Sequence, residues 1–173
     1  MSMPTAITDE RVMGAPAATC FQVAADVERW PEILPHYRRV AFRRRDAFGH
    51  GLVEMAAWRD FAGPLRYPTW WVSEMTCDAR EPVVRYRHVD GITTGMDVVW
   101  SFEALDADTT HVRIVHAWPG PPWPLIGGVA WRAVIAPVFV SVIAGRTLAG
   151  VAREAERRAA AESERRADGH AQP

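Results

Sequence analysis

Lysine is absent from this chain: all 20 of its basic residues are arginine. Schiff-base chemistry on a lysine amine is therefore excluded. Cysteine is scarce as well. Cys20 and Cys77 are far apart with no CxxC spacing, which argues against a disulfide framework or a cysteine zinc site. Charge of one sign is missing too, since the formal net charge is -1, and nothing favours nucleic acid or an anionic membrane surface as a partner. Long apolar runs are lacking. The most apolar window, Ala133 to Gly145, has 13 residues and contains Pro137, whereas a membrane span needs about 20. The first ten residues lack the basic and apolar regions of a signal peptide. The expectation is a soluble, cytoplasmic protein without a transmembrane segment, and no cofactor is implied.

Against these absences stand eight tryptophans in 173 residues. The length favours one domain with a sizeable core, expected over residues 1–163, with 164–173 as a disordered tail. Trp buries a large area and offers a single N–H, so this many in a small domain point to a large core or an aromatic-lined cavity.

Along the chain, Thr5 to Met13 reads as a weakly marked first strand. Ala17, Cys20, Phe21 and Ala24 then recur at helical spacing. Pro31 and Pro35 limit the next segment to a bent connection or a very short second helix. From His36 the period changes to two. Runs around Val40 and Phe42, Leu52 to Trp58, Tyr67 to Thr76, Val83 to Val89, Met96 to Phe102 and Val112 to Trp118 are separated by turn signals such as Asp90-Gly91. Pro68 suits an edge or a bulge. Pro119 to Pro124 is a breaker cluster, and Leu125 to Ala136 reads as a short helix.

The remainder is the only long segment with helical periodicity. From Pro137 to about Ala161 it would be roughly 37 Å long. Val140, Ala144, Leu148, Val151 and Ala155 form its apolar stripe, with Arg146, Arg153, Glu154 and Arg157 largely opposite. Strands and helices are segregated in sequence, so the fold class is α+β. Six to seven antiparallel strands twist strongly, and a sheet curling round one helix leaves a hollow that Ala144, Gly145, Ala149 and Gly150 would widen.

The stretch Ala15-Pro16 through Asp26-Val-Glu-Arg-Trp-Pro-Glu-Ile-Leu-Pro-His-Tyr37 resembles the opening of START-like (Bet v 1-like) proteins. More narrowly, it is similar to the polyketide cyclase/dehydrase and coenzyme Q-binding (SRPBCC) group. Trp70-Trp71-Val-Ser, the strand ending Trp100-Ser-Phe and the terminal helix fall where that group has comparable elements, so the likeness covers roughly residues 5 to 160. It implies a helix-grip fold: a curved antiparallel sheet of six to seven strands around the long C-terminal helix, with two short helices after the first strand. It also implies a cavity for an apolar or aromatic ligand between sheet and helix. The group's aromatase/cyclases resemble this chain at Trp30-Pro31-Glu32 and at Tyr37. They carry an arginine two residues beyond the Trp-Val-Ser, where this chain has Met75. In those enzymes Tyr and Arg are thought to handle the proton transfers and the enolate. The departure weighs toward binding rather than catalysis, unless Arg59 or Arg66 substitutes from nearby.

Candidate acid–base residues are Tyr37, His88 and His116. The two histidines are in phase with apolar sets on separate strands and would line the hollow if those sets face it. The alternative is a core histidine satisfied by a hydrogen bond. His111 and His116 lie on opposite strand faces, and no metal ligand set emerges. Candidate ligand contacts are Trp58, Arg59, Trp71, Tyr86, Trp100, Trp118, Ala144 and Leu148. Arg38, Arg39, Arg43, Arg44 and Arg45 form a basic cluster, read either as a solvated sheet face or as a dock for an acidic acyl carrier protein.

Two functions are compatible with these residues. The first is binding of a hydrophobic, carbonyl-bearing or aromatic small molecule, polyketide- or quinone-like, with assistance to its cyclisation or aromatisation. The second is an interaction protein whose cavity is filled by its own side chains. It would offer Phe139, Val142 and Ile143 to a partner or to a second copy in a homodimer.

Overall fold

The computed structural model describes residues 5–60, 66–91, 93–118 and 136–170. The expected breaker cluster and short helix between residues 119 and 135 lie outside them, as do the side chains of Arg59, Phe139 and Val140.

The element order is β1 (Thr5–Met13), α1 (Ala17–Ala25), a 3₁₀ turn (Val27–Arg29), α2 (Trp30–Ile33), β2 (Tyr37–Arg45), β3 (Gly51–Asp60), β4 (Arg66–Asp78), β5 (Val83–Gly91), β6 (Asp97–Ala104), β7 (Thr110–Trp118) and α3 (Ala136–His170). One antiparallel sheet holds all seven strands in the order β1-β7-β6-β5-β4-β3-β2. Strands β2 to β7 thus form a meander in chain order, and β1 closes the far edge beside β7. The α1–α2 segment carries the chain from one edge strand to the other.

Alternation decides which side chains enter the core. Along β5, Val84, Tyr86 and His88 are buried while Arg85 and Arg87 are exposed. On β6 the inward set is Val98, Trp100 and Phe102. Register shifts bend the sheet. Two lie in the β2–β3 pair, and one lies between β4 and β5 at Val72/Ser73. Such bulges raise the local twist and re-aim side chains. Pro68 sits in the stretch of β4 that pairs with β3 alone, because pairing with β5 begins at Trp71. Its missing N–H therefore costs no ladder bond on the β5 side.

Helix α3 packs on β1, α1, α2 and β7. Ala144, Leu148, Val151 and Ala155 are buried, joined by Thr147 and Ala152. Glu154 departs from the expected arrangement: it is buried, not opposite the stripe. The guanidinium of Arg157 donates to both of its carboxylate oxygens at 2.8 Å, and Arg158 donates at 2.8 Å. These neighbours neutralise and cover a charge that could not otherwise be buried. They also hold its carboxyl down to about 2. The helix continues past Ala161 to His170, where the sequence leads one to expect a frayed tail from 164. Ala, Glu and Arg are strong helix formers, and an i,i+4 pair links Arg166 to Glu162 at 3.8 Å. Residues 162–168 are all exposed, so this extension is solvated on every side. No helix among the described residues is long and apolar enough to cross a membrane.

Candidate functional site: an aromatic cavity between sheet and helix

The inward faces of β2 to β7, the start of α2 and the buried face of α3 line a cavity of about 60 Å³. Aromatic rings form a continuous train around it. Trp100 lies 5.9 Å from Trp30, Trp30 lies 5.0 Å from Tyr37, Tyr37 lies 6.1 Å from Trp71, and Trp71 stacks on His88 at 5.8 Å. Met55, Met96, Val98 and Ile114 fill the spaces between them, and Ile143, Ala144 and Thr147 supply the helical wall.

The polar groups on this wall are hydroxyls and imidazoles. The Oγ1 of Thr93 is 2.5 Å from Nδ1 of His88. That contact depends on a tight turn after β5. Gly91 has φ +92° and packs where a Cβ would overlap the Trp70 carbonyl oxygen and Trp71 Cα; only glycine meets both demands. The turn is closed by Gly95 N–H donating to the His88 carbonyl at 2.9 Å and by His88 N–H donating to the Met96 carbonyl at 2.8 Å. His88 is thereby fixed in position between Trp71 and Thr93. On the other side, Nε2 of His36 is 3.0 Å from Oγ1 of Thr147.

Tyr86 is the most informative member. It is buried, and its hydroxyl has no hydrogen-bond partner among the described residues. Burial pushes its phenol well above the ordinary range, so it stays a neutral O–H donor at any physiological pH. A buried donor left unmade costs free energy, which a ligand acceptor would recover. Among the described lining residues there is no carboxylate and no guanidinium. Such a wall disfavours an ionised ligand and suits a neutral one bearing carbonyls.

Of the residues singled out from the sequence, Tyr37, Trp71, Tyr86, His88, Trp100, His116 and Ala144 all line this cavity. Three do not. Trp58 lies on the opposite phase of β3 from the inward set Val53, Met55 and Ala57, and the guanidinium of Arg38 sits 4.5 Å over its ring. Trp118 is buried, with its indole N–H donating to the Thr94 carbonyl at 3.0 Å, away from the lining. Leu148 is 2% exposed and belongs to the packed core. The Arg59 side chain lies outside the described residues. Arg66 is exposed and lines a separate depression, so it does not take the place occupied by Met75, whose side chain is buried in the core. Gly145 faces open space, and Gly150 closes a contact instead of opening a hollow.

Sequence reasoning missed Thr93, Thr147 and His36. Thr147 was discoverable, because it lies one turn from Ala144 on the same helical face. His36 opens the alternating run beside Pro35, with Arg38 between it and Val40, and Thr93 sits in a turn, so neither stands out as part of an apolar set. Of the basic cluster on β2, Arg39 and Arg43 pair with Glu54, and Arg45 pairs with Glu28. These three arginines share two carboxylates, and all five arginines of the cluster are exposed. Among the described residues, no group of three His, Cys, Asp or Glu side chains could hold a metal.

Comparison with known proteins adds to this geometry. Residues 13–160 match the family described as polyketide cyclase/dehydrase and lipid transport. The chain is 30% identical over 158 residues, 88% of its length, to the granaticin polyketide synthase bifunctional cyclase/dehydratase of Streptomyces virginiae. It is 32% identical over 97 residues, 55% of its length, to a putative polyketide cyclase of Streptomyces cyaneus. It spans 49% of the first relative and 60% of the second. Among solved structures, the Zhui aromatase/cyclase of Streptomyces sp. R1128 superposes with a TM-score of 0.72 at 22% identity, covering 90% of this chain and 95% of that one. A START superfamily protein of Mycobacterium smegmatis superposes with a TM-score of 0.63 at 18% identity, covering 89% and 96% respectively. These superpositions establish the helix-grip fold.

Proposed function

This chain belongs to the polyketide cyclase/dehydrase and lipid transport family, and from that premise we propose that its cavity binds a neutral, carbonyl-bearing polyketide- or quinone-like molecule. The buried Tyr86 hydroxyl, unmatched among the described residues, on an aromatic wall whose described residues include no carboxylate or guanidinium, carries this reading. In the bound state the Tyr86 O–H donates to a ligand carbonyl, while Trp30, Trp71 and Trp100 cover the ligand's planar faces.

Binding, not turnover, is the main role in this reading, because Met75 stands where the resembling cyclases place a guanidinium. Any cyclisation would be general acid–base work on a pre-folded polyketone. An imidazole of His88 or His116 takes a proton from a methylene between two carbonyls. Tyr37 donates a hydrogen bond to the enolate oxygen that forms. The enolate carbon then bonds to a second carbonyl carbon of the same chain, whose oxygen takes up the proton held by the imidazolium.

The volume sets a condition. A cavity of about 60 Å³ is well below the roughly 300–1,000 Å³ of pockets that enclose drug-sized ligands, so a ligand of several rings enters only if aromatic side chains of the wall turn aside. The same observation favours a second reading, in which the cavity is filled by its own side chains and α3 contacts a partner through Val142, 44% exposed.

The deciding experiment is thermal shift against a panel of neutral multi-ring ketones and quinones beside their carboxylate analogues, together with solvent extraction of the purified protein. The binding reading expects a concentration-dependent rise in Tm for neutral ligands only. No shift across the panel and no extractable molecule would overturn it in favour of the second reading, which light scattering on Val142→Arg then tests.

A further inference from the structure

Two register shifts in the edge strand β2 gather its arginines on the outside of the molecule. Tyr37 pairs with Ala57 but Arg39 with Ala56, and Phe42 pairs with Val53 but Arg44 with Leu52, so Arg38 and Arg43 are extra residues. Strict alternation would turn Arg39 inward after Tyr37, and Arg44 inward after Phe42. Each bulge prevents this, and Arg38, Arg39, Arg43, Arg44 and Arg45 are all exposed. Few carboxylates meet them. Glu54 takes Arg43 at 2.7 Å and Arg39 at 3.8 Å, and Glu28 takes Arg45 at 3.3 Å. Arg38 lies over the Trp58 ring, and Arg44 has no ion pair among the described residues. The strand thus holds three more guanidinium groups than paired carboxylates.

An apolar side chain stands at the end of this strip. Phe48, in the turn between β2 and β3, is 81% exposed. Its turn is fixed from within. The Asp46 carboxylate accepts the Phe48 N–H at 2.8 Å and the His50 N–H at 2.9 Å, and Gly49 adopts φ +83°. A side chain held out on a fixed turn has little freedom left to lose on binding. Bulges and charges also protect a sheet edge from pairing with other chains. That role explains the arginines but not an exposed phenyl ring beside them.

The shape of the strip selects the partner. From Arg38 to Arg45 it runs about 23 Å, the length of a helix of about 15 residues. Arg39 and Arg44 are about 16 Å apart along the strand, or three helical turns, so carboxylates repeating on one helical face can meet both. An anionic membrane fits less well. In an antiparallel meander alternate turns share an end, which places residues 46–50, 79–82 and 105–109 together. There Asp78, Glu81, Asp106 and Asp108 outnumber Arg80, and a flat anionic surface reaching Phe48 would face them.

We propose that the arginine-bearing side of β2, with Phe48 at its end, docks an acidic helix of a partner protein. The carboxylates of that helix meet the surplus arginines, and Phe48 enters an apolar pocket beside it. This surface stands independently of the aromatic cavity and of any ligand held there.

The test is fluorescence anisotropy of a labelled helical peptide of about 18 residues, with glutamates along one face and a leucine near one end, titrated with the full chain at low salt. The same peptide with glutamine for glutamate is the comparison, and phosphatidylglycerol vesicles and a single-stranded oligonucleotide are the competing anions. The acidic peptide is expected to bind in the sub-millimolar range and to weaken as salt rises. Arg39→Gln/Arg44→Gln leaves Arg43 on Glu54, so Tm is expected to hold while affinity falls about tenfold. Phe48→Ala is expected to weaken binding about threefold. Arg85→Gln/Arg165→Gln makes the same charge change on β5 and on the solvated end of α3, and is expected to stay within about twofold. Chemical-shift mapping on the unmodified protein should move the amides of β2 and of residues 46–50. Absence of binding at millimolar concentration would leave β2 with edge protection alone and overturn the proposal. Equal binding of the glutamine peptide, tighter binding of vesicles or oligonucleotide, an equal loss in Arg85→Gln/Arg165→Gln, or shifts that map elsewhere would also overturn it.

Discussion

The Cδ2 of Leu34 occupies the space that a Cβ on Gly150 would need. This contact seats the end of α2 against α3, and the Ile33 carbonyl oxygen lies close by. Gly150→Ala should therefore overpack a buried junction and destabilise by about 1–3 kcal/mol, a fall in Tm of several degrees. Gly145, five residues earlier on the same helix, has nothing within 4 Å of such a Cβ. Gly145→Ala removes only backbone freedom and should stabilise by up to about 1 kcal/mol. Opposite signs in thermal melts are expected, and a rise in Tm for both would show that α2 and α3 are not so joined.

Tyr86→Phe separates stability from binding. The hydroxyl lacks a partner among the described residues, so its removal should leave the ligand-free protein as stable as before, or more stable by about 1 kcal/mol. Affinity for a neutral ketone identified in the thermal-shift panel should fall about tenfold. Urea midpoints and calorimetry check the two halves. A loss of stability comparable to the loss of binding would assign the hydroxyl a structural partner.

Acid should weaken the fold in a way that depends on Glu154. Its folded-state carboxyl is held at about 2, first by the Arg157 hydrogen bonds, against an ordinary value of 4.5. A depressed carboxyl contributes stability that is fully present above about pH 4.5 and lost as pH falls toward 2. With Arg157 exposed and its attraction screened by solvent, the contribution is on the order of 1–2 kcal/mol. Urea unfolding at stepped pH should show the difference between the native protein and Glu154→Gln narrowing across that window. A difference that is independent of pH between 2 and 5 would contradict the assignment.

Two apolar residues of α3, six positions apart, should respond in opposite ways to a charge. Leu148 is 2% exposed and Val142 is 44% exposed. Leu148→Arg buries an unpaired cation and should prevent folding, whereas Val142→Arg should change Tm by no more than a degree or two. Circular dichroism melts of both variants provide the check.

Much of the fold is visible in the sequence because period-two alternation names a side as well as a strand. Val84, Tyr86 and His88 on β5, and Val112, Ile114 and His116 on β7, point where that alternation puts them. Alternation does not report depth along the strand. Trp118 shares the phase of His116 yet lies beyond the cavity, and Leu148 shares the helical stripe of Ala144 yet is packed solid. Helical spacing failed at Glu154 for a related reason. Arginines at i+3 and i+4 look like an exposed charged face until tertiary packing folds them over the carboxylate. Small residues are ambiguous in the same manner, since Gly150 permits contact where a hollow is equally consistent with the sequence. The hydroxyls of Thr93 and Thr147 acquire meaning only once a turn and a helix bring them beside imidazoles.

The pairing of β1 with β7 sets Thr5 opposite Trp118 and Met13 opposite Thr110, partners about a hundred residues apart. A chain synthesised at roughly 5–20 residues per second therefore carries its first strand for several seconds before the partner exists. Throughout that interval the β1 backbone offers a row of unmatched amides and carbonyls, a template for association with other chains. The three consecutive charged residues Asp9, Glu10 and Arg11 within the strand are suited to keeping that waiting edge dispersed. Closure of so distant a pair also carries a high loop entropy. The last event in folding is then expected to be the docking of β1 together with α3, which packs on it.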